Sequence, residues 1–177
     1  MIVGLLSGRK GSKGFPNKNI HSLFGRPLME YPLRAALNAK SVDRMYVSTD
    51  SEEIIRIAKS VSPEVRAIAR PAELAQDGSF LEDVLLHAYH WINKDIGEEP
   101  EFIVIVLCNA ATVKTEIIEQ GIEMLRKDPE ADSVATVTLL NQYSPVRAKK
   151  NCKRETCPGY SARKLWQRNY LRSQLPW

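Results

Sequence analysis

The sequence predicts a three-layer α/β/α sandwich built on a mainly parallel, Rossmann-like sheet. Short apolar segments bounded by glycine or polar residues alternate with longer segments whose apolar residues recur at helical spacing. The connections are short enough for the right-handed crossovers that place helices on both faces of a parallel sheet. With 177 residues, 44% hydrophobic and 26% charged, the composition is that of a globular protein, which excludes a wholly disordered or disulfide-stapled chain.

The first half of the chain alternates strand and helix. Apolar residues such as Leu28, Leu33 and Leu37 lie on one side of the first predicted helix, and the capping box Asp50-Ser-Glu-Glu53 is predicted to start the second. The predicted elements are a strand over 1–7, a basic loop over 8–19, a helix opened by Pro27, a strand over 44–48, a helix over 51–60 and a weak strand over 64–67.

The second half continues the alternation. Ser79-Phe-Leu-Glu82 is a second capping box, and it predicts a helix with Phe80, Val84, Ala88 and Ile92 on one face. The segment 102–107 (FIVIVL) is apolar on both faces, which predicts a central parallel strand. Two further elements complete the pattern: a helix capped by Thr115 and running to about residue 127, and a strand over 133–138 (SVATVT).

The periodic pattern stops near residue 150. We therefore expect one domain over residues 1–150 and a basic, irregular tail over residues 151–177, which is either an irregular extension or a sequence foreign to the fold. The tail holds six lysines and arginines against one glutamate. Because this positive excess sits in a short tail and not on a folded face, nucleic acid is not an expected partner.

Composition also bears on location. No apolar run approaches the roughly 18–20 residues of a membrane span, and residues 1–6 are too short for a signal-peptide core. The three cysteines have irregular spacing, which is consistent with a reducing compartment. We expect a cytoplasmic protein that does not associate with membranes.

The loop over residues 8–19 is the strongest candidate for a ligand site, because ligands of open α/β sheets bind beyond the carboxyl ends of the strands. Gly11 and Gly14 let backbone amides approach an anion, and Arg9, Lys13 and Lys18 supply charge for phosphate oxygens. The spacing matches neither the dinucleotide-binding fingerprint nor the P-loop. A solvated basic loop remains the alternative on composition alone.

Several motifs occur together and in order. They are LSGRKGSKGFPNKN at 6–19, GRPL at 25–28, DRMYVSTD at 43–50 and RPAELA at 70–75, with weaker matches at 132–134 and 143–147. Together these segments resemble the acylneuraminate cytidylyltransferases, the CMP-sialic acid synthetase family, over residues 2–150.

The resemblance implies the fold of nucleotide-diphospho-sugar transferases and a nucleotide-binding domain over residues 1–150. It implies an enzyme that joins CTP to a 2-keto-3-deoxy acid sugar of eight or nine carbons and releases pyrophosphate. It also implies Mg²⁺ as cofactor and a homodimer as assembly. Two alternatives stay open, namely a catalytically silent, truncated CTP-binding module and a related nucleotidyltransferase for another sugar or base.

The resemblance also assigns roles to residues of the loops. Arg9 would hold the β- and γ-phosphates, and Lys18 would stabilise charge on the α-phosphate, which makes these two the catalytic residues. The nucleotide-binding residues would be Arg9, Gly11, Ser12, Lys13, Asn19, Arg70, Ser79 and Asn109, with Asn19 at the ribose and with Arg70 and Ser79 at the cytosine. Simpler roles stay open for three residues: Arg70 pairing with Glu73, Ser79 capping a helix and Asp50 opening its capping box.

The chain departs from the family pattern in two places. After the central strand the family commonly has LQPTSPLR, whereas residues 107–114 here are LCNAATVK, so Asn109 is the best polar candidate and the acid sugar stays open among sialic, legionaminic, pseudaminic and octulosonic types. No aspartate follows Asp132, so the tail does not supply the late aspartate pair that binds metal in the family. We assign no metal ligand, and we expect CTP binding to survive better than catalysis.

Overall fold

Four parallel strands form the central sheet of the computed structural model, which describes residues 1–11 and 14–137. The strands of the chain are β1 (Ile2–Ser7), β2 (Ser22–Leu23), β3 (Arg26–Pro27), β4 (Arg44–Thr49), β5 (Arg66–Ala69) and β6 (Phe102–Leu107). The order in the main sheet is β5-β4-β1-β6, and β2 and β3 form a separate antiparallel hairpin. All of this lies in one compact unit, Met1–Ala135. The predicted boundary at residue 150 lies outside the described residues and stays a prediction.

Helices cover both faces of the sheet, which confirms the predicted three-layer sandwich. They are α1 (Glu30–Leu37), α2 (Glu52–Val61), α3 (Leu81–Ile96) and α4 (Thr115–Lys127). One buried cluster joins Ile2 and Leu6 of β1 to residues of α1, α2 and α4, and the other joins Val3 and Leu5 to α3. Because successive side chains of β1 point to opposite faces, this strand supplies both cores.

The central position of β1 explains its composition. It pairs in parallel with β4 on one side and β6 on the other, so that Leu5 lies between Tyr46 and Ile105. All six of its residues are buried. A strand enclosed by two neighbours and two helical layers must be apolar over most of its length, and the segment IVGLLS is apolar up to Ser7, whose hydroxyl accepts a hydrogen bond from Arg70.

A hairpin replaces the predicted start of the first helix. Pro27 does not open a helix but ends β3, and α1 begins only at Glu30. The turn between β2 and β3 is Phe24-Gly25, and both residues have positive φ, 47° and 81°. Two positive φ angles in a two-residue loop match the twist of a hairpin, which is why the chain turns back here before the helix starts.

Three capping assignments were wrong. Ser51, not Asp50, caps α2, since its hydroxyl accepts a hydrogen bond from the Ile54 amide at 3.4 Å. Ser79 donates its hydroxyl to the Glu73 carbonyl at 2.8 Å, and α3 begins later, at Leu81. Thr115 is the first residue of α4 and donates to the Ala35 carbonyl at 2.9 Å, so it ties two helices together.

Strand positions differ from the predictions in three places. The third main strand covers Arg66–Ala69, two residues later than predicted. Within the described residues the segment FIVIVL pairs with β1 alone, so it lies at one end of the four-stranded sheet and not at its centre, and Ile105 is 46% exposed. Residues 133–137 form no strand, and residue 138 lies outside the described part of the chain. Phe80, predicted in the buried face of its helix, is 71% exposed because it precedes the first turn of α3.

Among the described residues, no helix combines the length and the apolarity that a membrane crossing requires.

The different burial of two leucines predicts different effects of their substitution on stability. Leu33 of α1 is completely buried, whereas Leu86 of α3 is 54% exposed. Leu33→Ala should lower the free energy of unfolding by about 2–5 kcal/mol, because it leaves a cavity in the core. The matched control Leu86→Ala should change it by less than about 0.5 kcal/mol. Urea titrations of the three proteins measure both values, and equal losses would contradict the assignment of the core.

Candidate functional site

The loop that follows β1 is bound to the neighbouring strand β4 at the edge where the parallel strands end, here called the carboxyl edge. The Gly8 amide donates to the Ser48 carbonyl at 3.3 Å. Two residues later the Lys10 amide donates to Asp50 Oδ1 at 2.6 Å. The Asp50 carboxylate therefore positions the loop, a contact that replaces the capping role expected from the sequence.

Close packing fixes the start of this loop. A Cβ placed on Gly8 would lie 2.3 Å from Cys108 Sγ and 2.8 Å from Cys108 Cβ, so only glycine fits there. Cys108 directly follows β6, is 1% exposed and has a free thiol. Burial raises the pKa of this thiol to about 12, so it is neutral at ordinary pH and acts as a small packing residue.

Arg9 reaches from the first loop to the loop that follows β5. Its Nη2 forms an ion pair with Asp77, and its Nη1 donates to the Ala75 carbonyl at 3.4 Å. Asn19 supports the same residue, since its Nδ2 donates to the Arg9 carbonyl at 3.2 Å. The predicted phosphate-binding arginine thus joins two loops through its side chain.

Four predicted site residues line one shallow depression at the carboxyl edge, here called the loop depression: Arg9, Gly11, Lys18 and Asn19. Gly11 has a φ of 74°, which turns the loop. Lys18 and Asn19 lie in the short 3₁₀ turn Lys18–Ile20 and are half-buried. Two cations and a glycine backbone on one concave surface suit a polyanion.

Arg70 is a buried cation at the centre of the same edge. Only 8% of the residue is exposed, and its Nη2 donates to Ser7 Oγ at 2.9 Å and to the Ser48 carbonyl at 2.8 Å. Its Nε has no hydrogen-bond partner. Burial lowers the pKa of its guanidinium, and the nearby Asp50 carboxylate partly opposes that shift. Arg70 does not pair with Glu73, so the simpler role for this arginine was wrong.

An open groove of about 580 Å³ adjoins Arg70. It is here called the Arg70 groove and is lined by Thr49, Asp50, Glu52, Ile55, Ala69, Arg70, Ala72 and Ala75. The groove lies between the ends of β4 and β5, next to the loop that carries Asp77. An arginine that lines an open groove is suited to a ligand that presents hydrogen-bond acceptors.

Two further predicted site residues, Ser79 and Asn109, line neither the loop depression nor the Arg70 groove. Ser79 is held by the Glu73 carbonyl at the end of the second loop. Asn109 is exposed just after β6, where the Ala110 amide turns back to the Leu107 carbonyl. Ser12 and Lys13 lie outside the described residues, so their roles stay predictions.

The described residues do not fit a protein-bound metal ion. Across residues 1–11 and 14–137 no group of three or more His, Cys, Asp or Glu side chains converges. The two carboxylates nearest the loop, Asp50 and Asp77, already contact Lys10 and Arg9.

Asp77 is the residue of this site that sequence reasoning missed. The only sequence feature that could have pointed to Asp77 is its acidic side chain at the end of a loop rich in apolar and small residues. The pair with Arg9 spans 68 positions of the sequence. Such a pairing depends on the order of the strands, which no local motif encodes.

The sequence of this chain is similar to those of known cytidylyltransferases. A sequence profile described as cytidylyltransferase matches residues 3–163. A Helicobacter pylori protein described as pseudaminic acid cytidylyltransferase and UDP-2,4-diacetamido-2,4,6-trideoxy-beta-L-altropyranose hydrolase is 28% identical over 146 residues, which are 82% of this chain and 27% of that protein. The N-acylneuraminate cytidylyltransferase of Escherichia coli O18:K1:H7 is 37% identical over 87 residues, 49% of this chain and 20% of the relative.

The fold also matches solved structures. The structure of CMP:2-keto-3-deoxy-manno-octonic acid synthetase, solved with CTP, superposes with a TM-score of 0.60 at 19% identity, over 73% of this chain and 48% of that one. At this identity the likeness shows the fold. The chain spans less than half the length of each of these three proteins.

The packing of Gly8 predicts its intolerance to substitution. Gly8→Ala should lower the free energy of unfolding by about 1–3 kcal/mol, because the new methyl group overlaps the Cys108 side chain. Gly14→Ala in the same loop is the control, since nothing lies within 4 Å of its Cβ position. Denaturant unfolding measures both. Equal stability of the two variants would contradict the close approach.

The raised pKa of Cys108 predicts low chemical reactivity. The thiolate is the reactive form, and burial both raises the pKa and blocks access. Iodoacetamide at pH 8 should therefore leave Cys108 unmodified in the folded chain and alkylate it in denaturant. Mass spectrometry of the Cys108 peptide measures this, and rapid labelling of the folded chain would show that the thiol is exposed.

Proposed function

Because the chain belongs to the cytidylyltransferase family, we propose that it couples CTP to a 2-keto-3-deoxy acid sugar and releases pyrophosphate. The observation that carries this proposal is the shared position of Arg9, Gly11, Lys18 and Asn19 in the loop depression, beside the buried Arg70. Positive charge and backbone amides lie where a triphosphate would enter, next to an open groove of suitable size for a base.

The proposed reaction is an attack by the anomeric hydroxyl of the sugar on the α-phosphorus of CTP. The new oxygen–phosphorus bond forms as the bond to the β-phosphate bridging oxygen breaks, pyrophosphate leaves with that electron pair, and the hydroxyl proton passes to water. Negative charge grows on the α-phosphate and on the leaving group. We assign Lys18 to the first charge and Arg9 to the second, with the Gly11 backbone beside them.

The base is proposed to lie in the Arg70 groove. Cytosine presents two acceptors, O2 and N3, and the Arg70 guanidinium lines this groove. Because Nη2 is already held by Ser7 and Ser48, the guanidinium is fixed in place before the ligand arrives. Asn19, whose Nδ2 is engaged by the Arg9 carbonyl, retains its amide oxygen for a ribose hydroxyl. Ser79 would support the base from the same loop, as the motifs imply.

The acceptor is proposed to be an acid sugar. The relatives are named for N-acylneuraminate and pseudaminic acid, and the solved structure for 2-keto-3-deoxy-manno-octonic acid. All three are 2-keto acid sugars, which supports the class and leaves its member open. Asn109 is exposed at the carboxyl edge, on the side of β6, and we assign it to the sugar or the nucleotide.

Cofactor, assembly and location are proposed from the family. Mg²⁺ accompanies CTP in the proposal, but the described residues offer no cluster of ligands for it, so no step is assigned to the ion. A homodimer is the proposed assembly. The cytoplasm is the proposed location, in keeping with the free thiol of Cys108.

Calorimetric titration of CTP, with Mg²⁺ present, tests the nucleotide site. Lys18→Ala and Arg9→Ala should each weaken binding about tenfold or more, because each removes a charge-assisted contact to phosphate. Lys94→Ala is the matched control, since this exposed lysine lies in the last turn of α3, whose start and not its end adjoins the carboxyl edge. UTP, GTP and ATP should compete poorly with CTP.

Pyrophosphate release separates the functional alternatives. Release that requires both CTP and an acid sugar would support the transferase. CTP binding without release would favour a silent CTP-binding module, and equal competition by another nucleotide would favour a related nucleotidyltransferase. Absence of CTP binding at millimolar concentration would contradict the proposed function.

A further inference from the structure

Arg9 has two competing partners if the proposed function holds. In the proposal its guanidinium holds the β- and γ-phosphates of CTP. In the structure the same guanidinium is engaged by the Asp77 carboxylate and the Ala75 carbonyl. These two contacts use one donor on each terminal nitrogen, and the Asp77 carboxylate balances the charge of Arg9, so both compete with phosphate oxygens for the same guanidinium.

The ion pair with Asp77 is suited to exchange. The side chains of Arg9 and Asp77 are 33% and 41% exposed, so water competes for both. Pairs of this kind are only weakly stabilising. The contrast with Arg70 is clear: that guanidinium is buried and held by Ser7 and Ser48, whereas Arg9 lies at the surface of the loop depression.

We propose that Asp77 is a resident counter-ion that occupies Arg9 in the nucleotide-free chain and competes with the β- and γ-phosphates for it. This inference rests on the proposed function. When CTP binds, the more highly charged triphosphate displaces Asp77 from Arg9. After transfer, Asp77 re-forms its contact with Arg9 and promotes the release of pyrophosphate.

The competition has a specific thermodynamic signature. It lowers the affinity for every ligand that reaches Arg9, which includes CTP and pyrophosphate. It leaves unchanged the affinity for CMP, which has no β- or γ-phosphate. Because the ion pair is broken both in the CTP complex and in the transition state, the competition lowers kcat/KM and leaves kcat unchanged, and it keeps the product from blocking the site.

Asp77→Asn tests the inference, because it keeps the size of the side chain and removes its charge. The affinities for CTP, pyrophosphate and CMP are measured by calorimetry at fixed salt. We expect pyrophosphate and CTP to bind about two- to fivefold more tightly, the range of an exposed ion pair, and CMP to bind as in the wild type. Thermal unfolding verifies that the variant folds.

Two controls isolate the ion pair from the change in net charge. Glu73→Gln removes one negative charge from an exposed residue of the same loop and should leave all three affinities nearly unchanged. In an Arg9→Ala background, Asp77→Asn should produce no gain for pyrophosphate or CTP. A gain that persists without Arg9 would overturn the inference, as would an equal gain in Glu73→Gln.

The outcomes separate this inference from the proposed function. Wild-type binding of CTP with unchanged or weaker binding in Asp77→Asn would overturn the competition alone, and weaker binding would show that Asp77 orients Arg9 for the phosphates. Failure of CTP and pyrophosphate to bind either protein would overturn both proposals.

Discussion

The site depends above all on the parallel pairing of β1 between β4 and β6. This pairing brings Ser7, Thr49 and Leu107 to the same edge of the sheet, so that the loops after these strands must meet there. It also brings Cys108 against Gly8, which leaves no room for a side chain at the first residue of the loop. The backbone of the loop therefore starts from a fixed point, and the positions of Arg9 and Lys10 follow from it.

Much of this arrangement is encoded locally. Strand 2–7 is apolar up to Ser7 and is buried along its whole length, and Ile118 and Ile122, which lie four residues apart in α4, are both buried, as helical spacing predicts. Errors arose where a residue serves a distant partner. Asp50 has the sequence context of a helix cap, but its carboxylate binds Lys10, and Thr115 binds the Ala35 carbonyl. Local patterns identify which residues are polar, whereas the order of the strands decides which partner each one meets.

The segment FIVIVL shows the same limit for strands. Its apolar composition predicts burial on both faces, yet Ile105 and Leu107 are partly exposed at the end of the described sheet. The apolar composition of a strand indicates that the strand is stable when buried, but it does not indicate which neighbouring element covers the strand. The grouping of Arg9, Gly11, Lys18 and Asn19 in the loop depression depends less on distant neighbours, because all four belong to one short segment of the chain.

The two arginines of the site differ in their electrostatic environment. Arg70 is buried without a carboxylate at hydrogen-bond distance among the described residues, and the positive charge of Arg9 acts with burial to lower its pKa. Asp50 opposes that shift, and Asp77 neutralises Arg9. Without a ligand, the aspartates thus balance a cationic edge that would otherwise repel itself. An incoming polyanion can take over the role of Asp77 but not that of Asp50, which also holds the loop backbone. The carboxylate that is exposed can be exchanged, and the one that is tied to the fold remains.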